Sequence, residues 1–213
     1  KLFNQCYELD LPILFHPQIP IDANDMKSEF ETSLNKNSDA KNKELIAHSN
    51  QYSINNEYLF GEHIKSIIQT AINANQPVPQ IHICHISTPM IVDCLKEIPQ
   101  KQARIIYETS PHHMLLNYEG DFVKPSYGKV LCPLRDPETQ TRIYDMATEG
   151  KFDTIGTDHA PHTAEQKAME FYQTPAGFPG VELLAPLLLS EVFAKRLYLS
   201  QVVFNCCSNP ASV

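Results

Sequence analysis

The apolar residues of the chain follow two different spacings. Nearly continuous apolar runs, which are typical of buried strands, cover residues 11–15, 80–86, 104–107 and 152–157. Other segments have apolar residues three and four positions apart, as helices do, over residues 60–72, 90–98 and 181–194. Four strands that alternate with helices predict an α/β fold with parallel pairing, because each connection is long enough for a βαβ crossover.

Two helices carry further local signals. Asp136 and Pro137 form a good cap and first-turn pair for a helix that runs to about Thr148, and Gly150 is placed to end it. The helix over residues 181–194 is expected to be kinked by its internal proline. One apolar face of that helix consists of Leu184, Leu188, Val192 and Phe193.

Residues 22–57 interrupt this alternation. They are rich in Asn, Ser, Lys and Asp and show little periodicity before Leu45 and Ile46. The pattern predicts a long loop excursion, and loops of that length are usually functional or mobile.

Composition places the chain among folded proteins that act on small molecules. Its 213 residues, with 42% hydrophobic and 20% charged residues, are enough for one domain with its own core. The net charge of -8 provides no basic surface for nucleic acid or for an anionic membrane. No apolar run reaches membrane-spanning length, and residues 1–10 do not have the pattern of a signal peptide, so we expect a cytoplasmic protein. The six cysteines lack CxxC spacing and are expected to be reduced core residues.

Candidate metal ligands follow all four predicted strands. They are His16, His85, His112 and His113, and Asp158 and His159. The carboxyl ends of parallel strands in an α/β barrel converge on one face, where functional residues collect. Imidazole and carboxylate are ligands of Zn²⁺, so the set predicts metal-assisted hydrolysis, with Asp158 best placed to accept a proton.

The remaining histidines are interpreted as structural. His82 and His85 should lie on opposite faces of one strand, and His85, which is nearer the strand end, is the preferred ligand. His48 and His63 lie in polar or helical segments and are expected at the surface. His113 is expected to support a ligand rather than to be one.

Five motifs resemble those of the dihydroorotases, within the metal-dependent amidohydrolase superfamily. The most specific is GTDHAPH at residues 156–162, with Thr163, Glu165 and Lys167 after it. The others are HICHIST at 82–88, ETSPHH at 108–113, CPLRD at 132–136 and PAGFPGVE at 175–182. Their order and spacing resemble the family from about residue 11 to residue 210.

The resemblance implies a TIM-type (β/α)8 amidohydrolase barrel with one or two Zn²⁺ ions. It also implies interconversion of N-carbamoyl-L-aspartate and (S)-dihydroorotate in pyrimidine biosynthesis. His16 and His85 resemble the metal ligands of the fifth and sixth strands, and Asp158 resembles the eighth-strand ligand that also moves a proton. His162 and the backbone of Ala176 and Gly177 resemble groups that bind the substrate.

Three features depart from the family pattern. The first-strand His-x-His pair, the arginine after it and the fourth-strand bridging ligand have no counterpart here, so the resemblance covers strands five to eight. Leu131 stands where dihydroorotases commonly have an Asn that contacts substrate, and Leu makes no such hydrogen bonds. Pro17 and Gln18 follow His16 where the family usually has Cys-Glu or Ala-Glu.

We therefore expect residues 1–213 to be a partial barrel domain, without the first half of the barrel and without a small terminal β domain. A half barrel has two unpaired strand edges, so the isolated chain should associate or bind a hydrophobic dye. A monomer that binds no dye would contradict this expectation.

Two alternative functions stay open. One is another ring-opening enzyme such as an allantoinase or dihydropyrimidinase, which Leu131 favours and the DHAPH sequence opposes. The other is a non-catalytic dihydroorotase-like scaffold that partners aspartate transcarbamoylase. Retention of His16, His85, Asp158 and His162 favours an enzyme, which we expect to be a homo-oligomer.

Overall fold

The computed structural model describes residues 2–213. Its strands are β1 (Ile13–Phe15), β2 (Ile81–Ile83), β3 (Ile105–Thr109) and β4 (Thr154–Ile155). Its α-helices are α1 (Leu2–Glu8), α2 (Ala23–Lys36), α3 (Lys43–Gln51), α4 (Ile54–Asn73), α5 (Pro89–Leu95), α6 (Pro111–Leu115), α7 (Pro137–Thr148), α8 (Ala164–Lys167), α9 (Gly180–Phe193) and α10 (Leu199–Val203). Each of the four predicted strands is present, in the predicted order.

The strands form one parallel sheet in the order β1-β2-β3-β4. Leu14 is in register with His82, and His82 with Ile106, so these side chains share one face of the sheet. The opposite face carries Ile81, Ile83 and Ile105, which are buried against the helices in the main hydrophobic core. All polar strand ends therefore lie at the same edge of the sheet, as predicted.

The predicted helix ends are confirmed. Asp136 caps α7, and its side chain accepts a hydrogen bond from the backbone N of Thr139 at 2.8 Å. Gly150 has φ +71°, a left-handed conformation that glycine adopts without strain, and it ends the helix.

The prediction of a long loop over residues 22–57 is wrong. This segment forms α2, α3 and the start of α4. The side chain of Asp22 caps α2 by accepting from Asn24 N at 2.8 Å. These helices bury few apolar residues, which is why the periodicity is weak, and their cluster is Phe30, Leu45, Ala47 and Phe171.

Two smaller expectations need correction. In α9, Leu188 is fully buried and Leu184 and Val192 pack against the core, but Phe193 is 85% exposed at the last turn. All six cysteines are free; Cys94 and Cys132 are buried, whereas Cys207 is exposed. No helix within residues 2–213 is both long and apolar enough to cross a membrane.

Candidate active site

His16 and His85 meet at the carboxyl ends of β1 and β2. The distance from His16 Nδ1 to His85 Nε2 is 3.0 Å, and Cys132 Sγ belongs to the same close group of donors. Two imidazole nitrogens on one tetrahedral Zn²⁺ would be about 3.3 Å apart, by the usual Zn–N distance. The spacing of the pair therefore suits two ligands of a single ion.

Gln18 sets which nitrogen of His16 faces His85. His16 Nε2 donates to Gln18 Oε1 at 2.7 Å, which leaves Nδ1 as the nitrogen that faces His85. Burial, with a contribution from His16, lowers the pKa of His85 to about 4, so His85 is neutral at physiological pH. The Nδ1 of His85 is buried without a hydrogen-bond partner. These observations fit a metal-binding pair.

Asp158 lies beyond β4 and contacts another histidine. Its Oδ2 is 3.7 Å from His112 Nε2, and burial together with the charge of Glu108 raises its pKa to about 6. His112 is buried at the start of α6, and burial lowers its pKa to about 3. Within the described residues, the close donor group of His16 and His85 does not include Asp158. The structure thus joins two of the three predicted ligands directly.

Glu108, which the sequence analysis did not single out, contacts both neighbouring strands. Its carboxylate lies 3.1 Å from His82 Nε2 and accepts hydrogen bonds from His85 N at 3.3 Å and Thr154 Oγ1 at 3.4 Å. Burial opposes its charge, but the hydrogen bond and charge of His82 outweigh burial and lower the pKa of Glu108. A Cβ at Gly156 would be 2.6 Å from Glu108 Cδ, so any larger residue there would displace the Glu108 carboxylate.

His82 and His85 are not related by the regular alternation of side chains along a strand. Strand β2 ends at Ile83, and His85 has φ +34°, so it lies outside the regular alternation. His82 pairs with Glu108, as expected of a structural histidine, and Cys84 completes a second close donor group with them.

The expectation that His48 is at the surface is wrong. His48 is 3% exposed, and its Nε2 donates to Val130 O at 2.9 Å. Burial lowers its pKa to about 4. His63 is exposed, as expected. His113 is buried, contacts Ser110 Oγ and donates to Cys132 O, so it supports the segment that carries Cys132.

The predicted substrate-binding residues meet at one turn. His162 Nε2 donates to Ala176 O at 2.9 Å, and Gly177 N donates to Lys129 O at 2.9 Å. Gly177 has φ +140°, and a Cβ there would be 2.4 Å from Ala160 O. The turn is therefore pressed against the loop that runs from Asp158 to His162.

A buried ion pair lies behind these loops and was not predicted. Arg135 NH2 donates to Glu57 Oε1 at 3.3 Å, and the two side chains are 3% and 2% exposed. Glu57 also accepts from Ser87 and from Thr88 N, two and three residues beyond His85. The signal in the sequence was Arg135 in the CPLRD motif, for which no role was assigned.

Comparison with known proteins confirms the resemblance to dihydroorotases. No protein-family model matches the chain. It is 42% identical over 137 residues to a dihydroorotase of Methanosphaera stadtmanae, covering 63% of this chain and 30% of that protein. It is 32% identical over 130 residues to one of Thermus aquaticus, covering 61% and 30%. The chain thus spans about a third of the length of the curated relatives that it matches.

Solved structures confirm the fold class. A D-hydantoinase (dihydropyrimidinase) from Thermus sp. matches with a TM-score of 0.77 at 20% identity, over 99% of this chain and 45% of that one. An L-hydantoinase from Arthrobacter aurescens matches with a TM-score of 0.77 at 21% identity, over 99% and 45%. The four-stranded parallel sheet therefore has the fold of part of a TIM-type barrel.

Proposed function

We propose that the full-length protein is a dihydroorotase-like enzyme that interconverts N-carbamoyl-L-aspartate and (S)-dihydroorotate in pyrimidine biosynthesis in the cytoplasm. The observation that carries the proposal is the pair of facing nitrogens of His16 and His85, 3.0 Å apart at the ends of adjacent strands. It lies in a chain that is 42% identical to a dihydroorotase over 137 residues.

In this proposal His16, His85 and Asp158 hold Zn²⁺, together with ligands from the rest of the barrel. The ion supplies a Lewis acid that lowers the pKa of water and polarises the ring carbonyl. Asp158 accepts a proton from the attacking water and passes it to the ring nitrogen as the C–N bond breaks, and the reverse steps close the ring. His162 and the turn at Ala176 and Gly177 orient the substrate.

A second candidate is hydrolysis of a cyclic amide whose ring carries no carboxylate. Leu131 stands where dihydroorotases commonly have an Asn that contacts substrate, and its side chain makes no hydrogen bond to a substrate carboxylate. A dihydropyrimidinase-like or allantoinase-like activity would follow.

The deciding experiment measures turnover of dihydroorotate, allantoin and dihydrouracil by the zinc-loaded full-length protein. Turnover of dihydroorotate, lost in the Asp158→Asn variant, is the expected result. Turnover of allantoin or dihydrouracil alone would replace the proposal with the second candidate. If a folded protein turned over none of them, the scaffold function beside aspartate transcarbamoylase would become the better explanation, and co-purification would test it. Gel filtration of the same protein tests the proposed homo-oligomer.

The sequence upstream of Lys1 offers an independent check. A strand that ends in His-x-His there would complete the metal site, and a first strand without such ligands would count against the enzyme. It would also test the proposal that residues 1–213 form one part of a barrel domain.

A further inference from the structure

Lys167 is a buried lysine without a carboxylate partner. It is 6% exposed, and it makes no salt bridge within the described part of the chain. Its Nζ donates instead to three backbone carbonyls, those of Lys129 at 3.2 Å, Pro175 at 3.2 Å and Gly177 at 3.3 Å. An ammonium group has three donors, so every donor of Lys167 is used.

The backbone carbonyls of three consecutive residues, 175–177, all accept hydrogen bonds from side chains. Pro175 O and Gly177 O accept from Lys167, and Ala176 O between them accepts from His162 Nε2 at 2.9 Å. All three carbonyls of the turn are therefore bound by side chains from one segment, residues 158–167. Lys167 makes two of these three hydrogen bonds from a single side chain, so it is the larger of the two contacts.

The position of Lys167 is itself fixed by the helix that carries it. Helix α8 begins directly after His162 with a capping box, in which Thr163 Oγ1 accepts from Gln166 N and Gln166 Oε1 accepts from Thr163 N. His162 and Lys167 thus approach the turn from one short, locally ordered segment. Asp158 lies at the start of the same segment.

We propose that Lys167 is a positioning residue that holds the turn formed by Pro175, Ala176 and Gly177 in place for substrate binding. The inference rests on the proposed function, in which this turn orients the cyclic amide. Since the turn binds the ring and takes no part in proton transfer, its displacement should weaken substrate binding much more than it slows turnover.

Lys129 provides a matched control. Its Nζ also donates to three carbonyls, those of Phe171, Tyr172 and Thr174, at 2.9, 3.2 and 2.7 Å. These carbonyls precede the turn, so loss of the Lys129 side chain leaves all three side-chain contacts of the turn intact. Lys129→Met removes the same chemical group as Lys167→Met, from a neighbouring place.

The test compares steady-state kinetics of the zinc-loaded full-length enzyme and both variants with dihydroorotate. Lys167→Met should raise KM about tenfold or more with kcat within about threefold, whereas Lys129→Met should keep KM within about twofold. Zinc content should stay equal to that of the wild type. A purely structural role for Lys167 would lower thermal stability and leave KM of the folded enzyme unchanged, which would overturn the inference.

The pH dependence of KM gives a readout on the wild type that needs no variant. Burial, followed by the charge of Lys129, lowers the pKa of Lys167 to about 8. Lys129 is the charged group that acts on it from the facing segment, and Glu165 on its own helix is exposed. KM should therefore rise above pH 8 in the wild type and stay flat in Lys167→Met. In Lys129→Met it should still rise, but at a higher pH, because this variant lacks the charge that helps to lower the pKa of Lys167. A KM that is flat in all three proteins would refute the inference.

Hydrogen exchange separates failure of this inference from failure of the proposed function. Amide exchange at residues 176–178 needs no substrate, and it should speed up in Lys167→Met but not in Lys129→Met. If the protein showed this exchange pattern but turned over no cyclic amide, the proposed function would be refuted. The role of Lys167 in holding the turn would still be supported. Unchanged exchange in Lys167→Met would refute the positioning role whatever the activity.

Discussion

Replacement of Arg135 by Met tests the buried ion pair behind the site. Arg135 donates to Glu57 Oε1 at 3.3 Å, to Ser87 Oγ at 2.9 Å, and to the carbonyls of Ser49 and Tyr52 at 3.2 and 2.5 Å. Methionine has a similar length and no donors, so the substitution removes these contacts with little change in packing.

The expected loss of stability follows from the buried groups that remain without a partner in Arg135→Met. Glu57 is 2% exposed and would be left with only its Ser87 and Thr88 donors. Removal of one partner of a buried pair costs about 3–5 kcal/mol. The carbonyls of Ser49 and Tyr52 would also lose their donor, and we include that cost in the same range. We therefore expect the free energy of unfolding to fall by about 4 kcal/mol, which is a large part of the stability of an ordinary domain.

Urea unfolding of the full-length protein, followed by far-ultraviolet circular dichroism, measures this loss. Arg196→Met is the control, because the Arg196 side chain is 56% exposed and its partner Glu191 keeps a hydrogen bond from Tyr144. The control should lose much less stability than Arg135→Met, since its guanidinium is largely hydrated. If Arg135→Met lost no more than Arg196→Met, the assignment of a strong buried pair would be refuted.

Three further predictions concern single residues. Asp158→Asn should reduce turnover by at least about 10², because it removes a ligand and the proton acceptor together, and near-normal turnover in a steady-state assay would contradict both roles. Gly156→Ala should lower the thermal midpoint in the wild type but much less in a Glu108→Ala background, since its Cβ would be 2.6 Å from Glu108 Cδ; equal shifts in both backgrounds would rule out that clash. Burial lowers the pKa of His48 from 6.5 to about 4. Between these pH values His48 therefore stays neutral in the folded protein but gains a proton in the unfolded chain. The contribution of His48 to stability, present in full above pH 6.5, should therefore fall by about 3 kcal/mol towards pH 4. In urea titrations across that range, the wild type should lose about that much more stability than His48→Gln.

The strand positions and the histidines at their ends could be predicted from the sequence because both depend on local patterns. The apolar run at residues 11–15 and the histidine after it predict β1 and the place of His16, and the structure shows both. The helices α2 and α3 could not be predicted in the same way. Their buried faces are narrow, and their apolar partner Phe171 is more than a hundred residues away in the sequence.

Contacts between distant segments also explain what the site prediction missed. Nothing local indicates that His48 is buried, because its partner Val130 lies 82 residues away. The same is true of Arg135, whose acceptors belong to α3, α4 and the loop after β2. A motif such as CPLRD shows that an arginine is present, but only the fold shows which segments it joins.

The backbone at the predicted ligands is strained, and Glu108 is placed to support it. His85 has φ +34° and Asp158 has φ +45°, a region that residues other than glycine enter at a cost of order 1–3 kcal/mol each. Such conformations persist only where their surroundings hold them. Glu108 accepts from the backbone N of His85 and fills the space beside Gly156, two residues before Asp158. A single carboxylate on β3 therefore supports the ligand-bearing turns of both neighbouring strands, and this accounts for a charged side chain on the sheet face opposite the helices.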